Sequence, residues 1–142
     1  MTSSTLPFTH SIRIYWEDTD AGGIVFYANY LKFMERGRTE WLRSLGIEQQ
    51  RLRDEVGGMF VVSEANIKYL QPARLDDELV VTAQLQSAGR ASMTIAQQVL
   101  LKPKQPTDTP VLLCEGTIRI GWVDAASMRP ARIPPTLIQT IS

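Results

Sequence analysis

Residues 17–33, EDTDAGGIVFYANYLKF, place Glu17, Asp18 and Asp20 and the pair Gly22-Gly23 directly ahead of an aromatic-rich run with helical spacing. Carboxylates there suit three chemistries: binding a cation, stabilising the positive end of a helix, or attacking an electrophilic carbon directly or through water. Calcium fails on spacing. Asp18-x-Asp20 with Gly23 at the sixth place looks like an EF-hand loop, but the fifth place, which needs an oxygen ligand, holds Gly22, and the twelfth, which needs a bidentate Glu, holds Asn29. Zinc fails on ligand supply, with one histidine, His10, and one cysteine, Cys114. For Glu17 and Asp18 a helix-stabilising role, worth about 0.3–1 kcal/mol each, stays open beside a chemical one. Asp20 has different surroundings. Gly22-Gly23 lets the backbone approach a ligand, which makes Gly23 a candidate substrate contact. The following residues lead into the free N–H groups of a helix start. Those donors suit a developing oxyanion, with Asp20 attacking or activating water, which is a sufficient kit for acyl transfer.

Other hydrolytic kits lack parts. There is no G-x-S-x-G elbow, and His10 lies in the N-terminal segment, away from any Ser–His–Asp arrangement. Cys114 falls on the apolar side of a predicted strand and reads as a small buried hydrophobe. No glycine-rich phosphate loop precedes a Lys-Ser/Thr pair.

The elements that must position Asp20 follow from periodicity. Residues 12–16, IRIYW, alternate Ile12, Ile14 and Trp16 on one strand face. NYLKFMERGRTEWLRSLG then predicts a helix with Tyr30, Phe33, Met34, Gly37, Trp41 and Leu45 on its apolar stripe. Leu31 and Leu42 widen the stripe, and Gly46 is the stop. Gly37 inside it is either a tolerated glycine, at about 1 kcal/mol relative to alanine, or the mark of another backbone passing close by. A short helix covers IEQQRLRDEV and ends at Gly57-Gly58. Four strand patterns follow, with Val61, Ala65, Ile67 and Tyr69 aligned in the first and Leu79, Val81, Ala83 and Leu85 in the second. Met93, Ile95, Val99 and Leu101 align in the third, and Leu112, Cys114, Ile118, Ile120 and Trp122 in the fourth. The tail RPARIPPTLIQTIS reads as extended. Consecutive hairpins imply an antiparallel sheet, and one long apolar helix needs cover along its length, so the expectation is an α+β domain with the sheet curved around that helix. An edge strand of such a sheet is open to pairing across a dimer.

The 142 residues are expected to form one domain, 1–142. Fifteen Lys plus Arg balance fifteen Asp plus Glu, so the formal net charge is zero; this argues against nucleic acid and leaves self-association less opposed. No apolar stretch approaches the roughly 20 residues of a membrane span. The N-terminus MTSSTLPFTH has no secretory pattern, and a single cysteine suits a reducing setting, so the expected location is cytoplasmic.

YWEDTDAGGIVFYANYLKFMERGRTEWLR (15–43) resembles the signature of the 4-hydroxybenzoyl-CoA thioesterase-like branch of the hotdog-fold superfamily. Within that branch it is most similar to the Tol–Pal-associated acyl-CoA thioesterases. The likeness continues through FVVSEANIKYLQPARLDDELVV and GWVDAASMRPARIP, over roughly residues 10–135. The resemblance implies a hotdog fold, an antiparallel sheet of about five strands around one long central helix, in homodimers or homotetramers. It implies Asp20 as the catalytic carboxylate and the Tyr27 backbone N–H as the oxyanion donor. It also implies Glu35 near the acyl group and Arg90 toward CoA phosphate, with Lys68 and Arg74 as further basic candidates. Where the Tol–Pal-associated members usually read Tyr-His-Ala, this chain reads Phe26-Tyr27-Ala28 and is more similar to the aromatic-CoA enzymes.

The expected activity is hydrolysis of an acyl-CoA thioester to free acid and CoA, with no metal and no organic cofactor. Acyl carrier protein is a second candidate carrier of the acyl group. Two alternatives stand beside it. One is a dehydratase acting on carrier-bound acyl groups, for which His10 is poorly placed. The other is a non-catalytic acyl-CoA or acyl-carrier-protein binding protein linked to envelope or lipid metabolism.

Overall fold

Helix α1 (Asn29–Ser44) has the most apolar surface to hide, and the sheet is curved around it. Tyr30, Phe33, Met34, Gly37, Trp41 and Leu42 are buried on its inner face. Covering one such large side chain contributes about 1.5–3 kcal/mol. The computed structural model describes residues 6–142, so the leader-free reading of residues 1–5 lies outside the described residues. Strand β1 (Phe8–Arg13) precedes a 3-10 turn (Trp16–Asp18), α1 and the short helix α2 (Gln49–Glu55). Strands β2 (Gly58–Tyr69), β3 (Glu78–Ala88), β4 (Ser92–Leu101) and β5 (Val111–Asp124) follow, then helix α3 (Pro135–Ile141). The strands form one sheet in the order β1-β3-β4-β5-β2, every neighbouring pair antiparallel. This is the hotdog architecture.

The aligned positions of β3, β4 and β5 face inward. Leu79, Val81, Met93, Ile95, Val99, Cys114, Ile118, Ile120 and Trp122 are all buried against α1 or its neighbours. Gly37 is where the helix comes closest to the sheet. A Cβ there would stand 2.7 Å from Val81 Cγ1 and 3.3 Å from Gln97 Nε2, so the approach is by sheet side chains and not by a backbone. Gln97, 1% exposed on the inner face of β4, joins three elements. Its Nε2 donates to Met34 O of α1 (3.0 Å) and Thr82 O of β3 (3.1 Å), and its Oε1 accepts from Arg38 Nη1 (2.9 Å). A buried amide with every contact satisfied fixes helix against sheet without an unpaired polar atom.

Several sequence expectations are corrected. The first strand ends at Arg13, and Trp16 lies in the 3-10 turn, 74% exposed, instead of beside Ile12 and Ile14. Tyr15 N–H donates to Asp18 Oδ2 (2.9 Å), so the turn's own carboxylate pulls the chain out of strand geometry. Leu31 is 42% exposed because it lies off the sheet-facing stripe, while Leu42 is buried. In β2 the register shifts between Val62 and Glu64, which breaks the simple alternation. In β5 the shift against β4 at Val99/Leu100 turns Leu113 inward, 2% exposed, where Leu112 was expected. The tail is not extended. Pro135 starts α3, and Ile133, Leu137 and Ile141 join the core. Gly46 does close α1, donating to Arg43 O at 3.0 Å while Ile47 N–H reaches Leu42 O at 2.9 Å.

Candidate active site

Asp20 stands on the loop between the 3-10 turn and α1, and short backbone contacts give the loop its shape. Thr19 bridges Val25 and Ile24 bridges Arg74. Asp20 N–H donates to Ile24 O (2.9 Å), Gly23 N–H to Asp20 O (3.1 Å), and Val25 N–H to Ala73 O (2.9 Å). Gly23 carries the turn at φ +79°, a left-handed conformation that glycine adopts without steric cost. Gly22 N–H donates to Asp20 Oδ1 (2.8 Å), which orients the carboxylate and leaves Oδ2 without a hydrogen bond among the described residues. Because Asp20 is exposed and its charge is held by one backbone donor, it can act on whatever occupies the space in front of it.

That space is a cavity of about 440 Å3. Asp20 is the one carboxylate among its lining residues. The others are mainly Ile24, Val25, Phe26, Tyr27, Tyr30, Tyr69 and the Leu70–Pro72 segment. Tyr69 meets Tyr27 edge-on at 5.8 Å between ring centroids and Tyr30 at 5.7 Å. The Tyr30 hydroxyl oxygen accepts from Ala73 N–H (2.9 Å). Burial pushes the Tyr30 phenol up, against the opposing pull of that N–H, and burial likewise raises Tyr69, so both rings stay neutral walls.

The start of α1 also faces this cavity. Ala28 is its N-cap and supplies no side-chain cap, while Asn29 Nδ2 reaches back to Asp18 O (2.7 Å) and ties the helix start to the acidic loop. Asn29, Tyr30 and Leu31 N–H donate to Phe26, Tyr27 and Ala28 O, at 2.9, 3.3 and 3.2 Å. Tyr27 and Ala28 N–H donate no hydrogen bond among the described residues. Unspent amides at a helix N-terminus, next to a carboxylate and an apolar wall, can stabilise a tetrahedral oxyanion.

Asp20 and Tyr27 therefore share one cavity, with Gly23 shaping the loop beside it. Glu35 and Arg90 are elsewhere on the chain. Glu35 lines a separate cavity of about 180 Å3 and accepts from the Thr39 hydroxyl at 2.5 Å. Arg90 is exposed in the β3–β4 turn, where its carbonyl accepts from Ile133 N–H (2.8 Å). Lys68 faces another groove on β2, and Arg74 N–H is held by Asp77 Oδ2 (2.9 Å). Asp18 serves the 3-10 turn through Tyr15 N–H. Cys114 is fully enclosed, its thiol pushed up to about 11 chiefly by burial, which removes it as a nucleophile. His10 pairs with Val81 at the β1 side of the sheet and does not line the Asp20 cavity. Among the described residues no group of three His, Cys, Asp or Glu could hold a metal ion.

Sequence reasoning missed Tyr69 and the Leu70–Pro72 segment, which read as strand end and turn, and took Tyr30 only as core. The spacing of Phe26, Tyr27 and Tyr30, one turn apart around the helix start, was the available signal.

Residues 22–105 match the family model described as "Thioesterase superfamily". The chain belongs to that superfamily. Among its relatives, the acyl-CoA thioesterase YbgC of Haemophilus influenzae is 37% identical over 127 residues, covering 89% of this chain and 88% of that one. The crystal structure of a probable thioesterase from Bartonella henselae superposes with TM-score 0.82 at 28% identity, over 91% of this chain and 100% of that one. A mutant 4-hydroxybenzoyl-CoA thioesterase crystallised with 4-hydroxybenzoyl-CoA superposes with TM-score 0.86, over 94% of this chain and 97% of that one. At 20% identity it speaks for the fold alone. In this thioesterase superfamily member, no helix of the described residues is long and apolar enough to cross a membrane.

Proposed function

We infer that this protein is a thioester hydrolase that converts an acyl-CoA to free acid and CoA, with Asp20 and the Tyr27 N–H carrying the step. The observation that carries the reading is the shared cavity: it is lined by a carboxylate with one unspent oxygen and by Tyr27, whose N–H donates no hydrogen bond among the described residues. The thioester carbonyl oxygen accepts from the Tyr27 N–H, which stabilises negative charge as the carbonyl carbon becomes tetrahedral. Two routes use the same parts. In one, an Asp20 oxygen bonds to that carbon and the CoA thiolate leaves; water then cleaves the resulting anhydride and restores Asp20. In the other, Asp20 takes a proton from water, the hydroxide attacks, and the departing thiolate recovers the proton. Neither route needs a metal or an organic cofactor. Acyl carrier protein is the second candidate carrier.

The same reading takes residues 1–142 as one domain that works as a homodimer or homotetramer in the cytoplasm, with CoA lying across a subunit interface. Gly23 would then meet the substrate through its backbone, and Glu35 and Arg90 would approach acyl group and CoA phosphate across that interface. Supporting this is the open edge of β2, where Val62 is 53% exposed. A link to the Tol–Pal envelope system rests on the likeness of residues 15–43.

Thiol release from a panel of short, long, branched and aromatic acyl-CoAs, with wild type and Asp20→Asn side by side, tests the chemistry. The expected result is turnover in wild type and a loss of at least about a hundredfold in the variant. Near-wild-type rates in folded Asp20→Asn overturn the Asp20 assignment. Binding without turnover on every substrate favours the non-catalytic acyl-CoA or carrier-protein binding protein.

A further inference from the structure

Tyr30 lies in the first turn of α1 on its buried face and is 3% exposed. Its hydroxyl oxygen accepts from Ala73 N–H (2.9 Å), yet among the described residues no hydrogen bond leaves the hydroxyl itself. Cys114, Tyr69 and Asp77 are near enough to act on its charge, and none of them accepts its hydrogen. A phenol carries a donor as well as acceptor lone pairs, and a buried donor left unmade costs its full desolvation. Burial raises the phenol above its ordinary ionisation range, so that hydrogen is in place at neutral pH.

The space beside it is the Asp20 cavity. Tyr30 lines that cavity, and so does Pro72, whose peptide bond to Ala73 supplies the N–H. With the N–H on one side of the oxygen, the O–H is left to turn away from it. A helical side chain leans over the turn before its own Cα, which for Tyr30 is the turn carrying Tyr27 and Ala28. Tyr30 N–H also donates to Tyr27 O (3.3 Å), so the phenol and the Tyr27 N–H ride on one turn of helix. The Ala73 peptide holds the phenol from the far side. Ala73 is fully buried, and its carbonyl accepts from Val25 N–H (2.9 Å) at the end of the Asp20 loop. Hydrogen bonds in series polarise one another, so an N–H into the phenol oxygen makes its O–H a stronger donor.

We propose that Tyr30 is a further catalytic residue, whose O–H donates to the thioester carbonyl oxygen beside the Tyr27 N–H and gives the developing oxyanion two donors. This rests on the acyl-transfer reading of Asp20 and Tyr27 and adds a side chain to it. The phenol keeps its proton throughout, so the bonds made and broken in either route are unchanged. Negative charge on the carbonyl oxygen grows toward the tetrahedral state, so a lost donor is felt in kcat more than in KM.

The test follows thiol release from butyryl-CoA and benzoyl-CoA by wild type, by Tyr30→Phe and by protein with 3-fluorotyrosine in place of Tyr30, with circular dichroism to check the fold. Tyr30→Phe keeps the ring against Phe33 and Tyr69 and loses only the hydroxyl. It is expected to lower kcat about a hundredfold with KM little changed. Fluorination separates a donor from a scaffold by sign. A fluorinated phenol donates better and accepts worse, so a donating Tyr30 gains rate, whereas a hydroxyl that only holds Ala73 N–H loses it. Infrared spectra of the two thioesters, labelled with carbon-13 at the carbonyl and bound to Asp20→Asn, read the same contact without turnover. The carbonyl stretch should fall on binding, and fall less when Tyr30→Phe is added. If Tyr30→Phe does not fold, the fluorinated protein decides. Near-wild-type kcat in folded Tyr30→Phe, a fluorinated protein slower than wild type, or a carbonyl stretch indifferent to Tyr30→Phe overturns the proposal and leaves the acyl-transfer reading standing. A wild type that releases no thiol from any acyl-CoA overturns that reading, and the catalytic role of Tyr30 falls with it.

Discussion

Asp20 is held in place by one neighbour, and that makes its orientation sensitive to a methyl group. A Cβ on Gly22 would stand 3.3 Å from Asp20 Oδ1, inside comfortable contact, while the Gly22 N–H that orients the carboxylate would remain. Gly22→Ala is therefore expected to keep the fold and lower kcat several-fold, by moving the carboxylate and not by removing it. Circular dichroism alongside thiol-release kinetics checks both parts. Cys114 gives a second prediction at this scale. Its thiol ionises near 9.0 in an open chain and near 11 when folded, because burial penalises the thiolate. The unfolded chain gives up that proton first as pH rises, so stability should be level below about pH 9 and fall between about 9 and 11. The raised Tyr30 phenol acts in the same direction at higher pH. Urea melts at pH 7, 9 and 10.5 read the slope, and Cys114→Ala should make it shallower; an equal slope in the variant removes Cys114 as its source.

Between elements, the contact of α1 with β3 and β4 is set by Gly37 and Gln97. Gly37→Ala gains about 1 kcal/mol of helix propensity but drives a methyl to 2.7 Å from the stiff Val81 side chain. Overpacking of that kind costs about 1–3 kcal/mol, so a net loss of up to about 2 kcal/mol is expected in urea unfolding. Gln97→Leu should be worse. It strips Arg38 of its side-chain acceptor, at about 1–3 kcal/mol for a buried group left unpaired, and takes a donor from Met34 O and Thr82 O. A Gln97→Leu protein as stable as wild type would show that the carbonyls find other donors.

For the whole molecule, the sheet ends in two different edges. β1 is short, while β2 runs twelve residues and, among the described residues, pairs on one side only, with β5. An edge that long, with Val62 half exposed, is the edge on which the proposed dimer would add a second copy's strand. In the proposed dimer, with β2 pairing its counterpart, Val62→Asp would bring like charges into the shared edge. It is expected to convert the oligomer to monomer in sedimentation velocity and to lower turnover in parallel, if the active site draws on both copies. A monomeric wild type, or a monomeric variant at full activity, would count against the shared site.

Much of this was legible in residue order. Helical spacing over 29–45 and strict alternation over 79–85 and 92–101 each bury one face, so local periodicity already implied a helix covered by an antiparallel sheet. The pairing of Asp20 with a helix start could also be read, because both lie within one short stretch of chain. What periodicity could not give were the places where distant segments compete for the same residue. Trp16 left the first strand because Asp18 claimed the Tyr15 N–H, and the tail became α3 because Ile133, Leu137 and Ile141 found room in the core. Tyr69 and the Leu70–Pro72 segment joined the Asp20 cavity only through the return of β2, some forty residues later in the chain. Arg38, on a stripe that reads as apolar, was turned into a half-satisfied buried cation by Gln97, 59 positions away. Sequence by itself determined which surfaces had to be buried, since that depends on neighbours a few residues off. Tertiary structure alone decided which polar groups were left facing a cavity, because that depends on what the far side of the fold supplies.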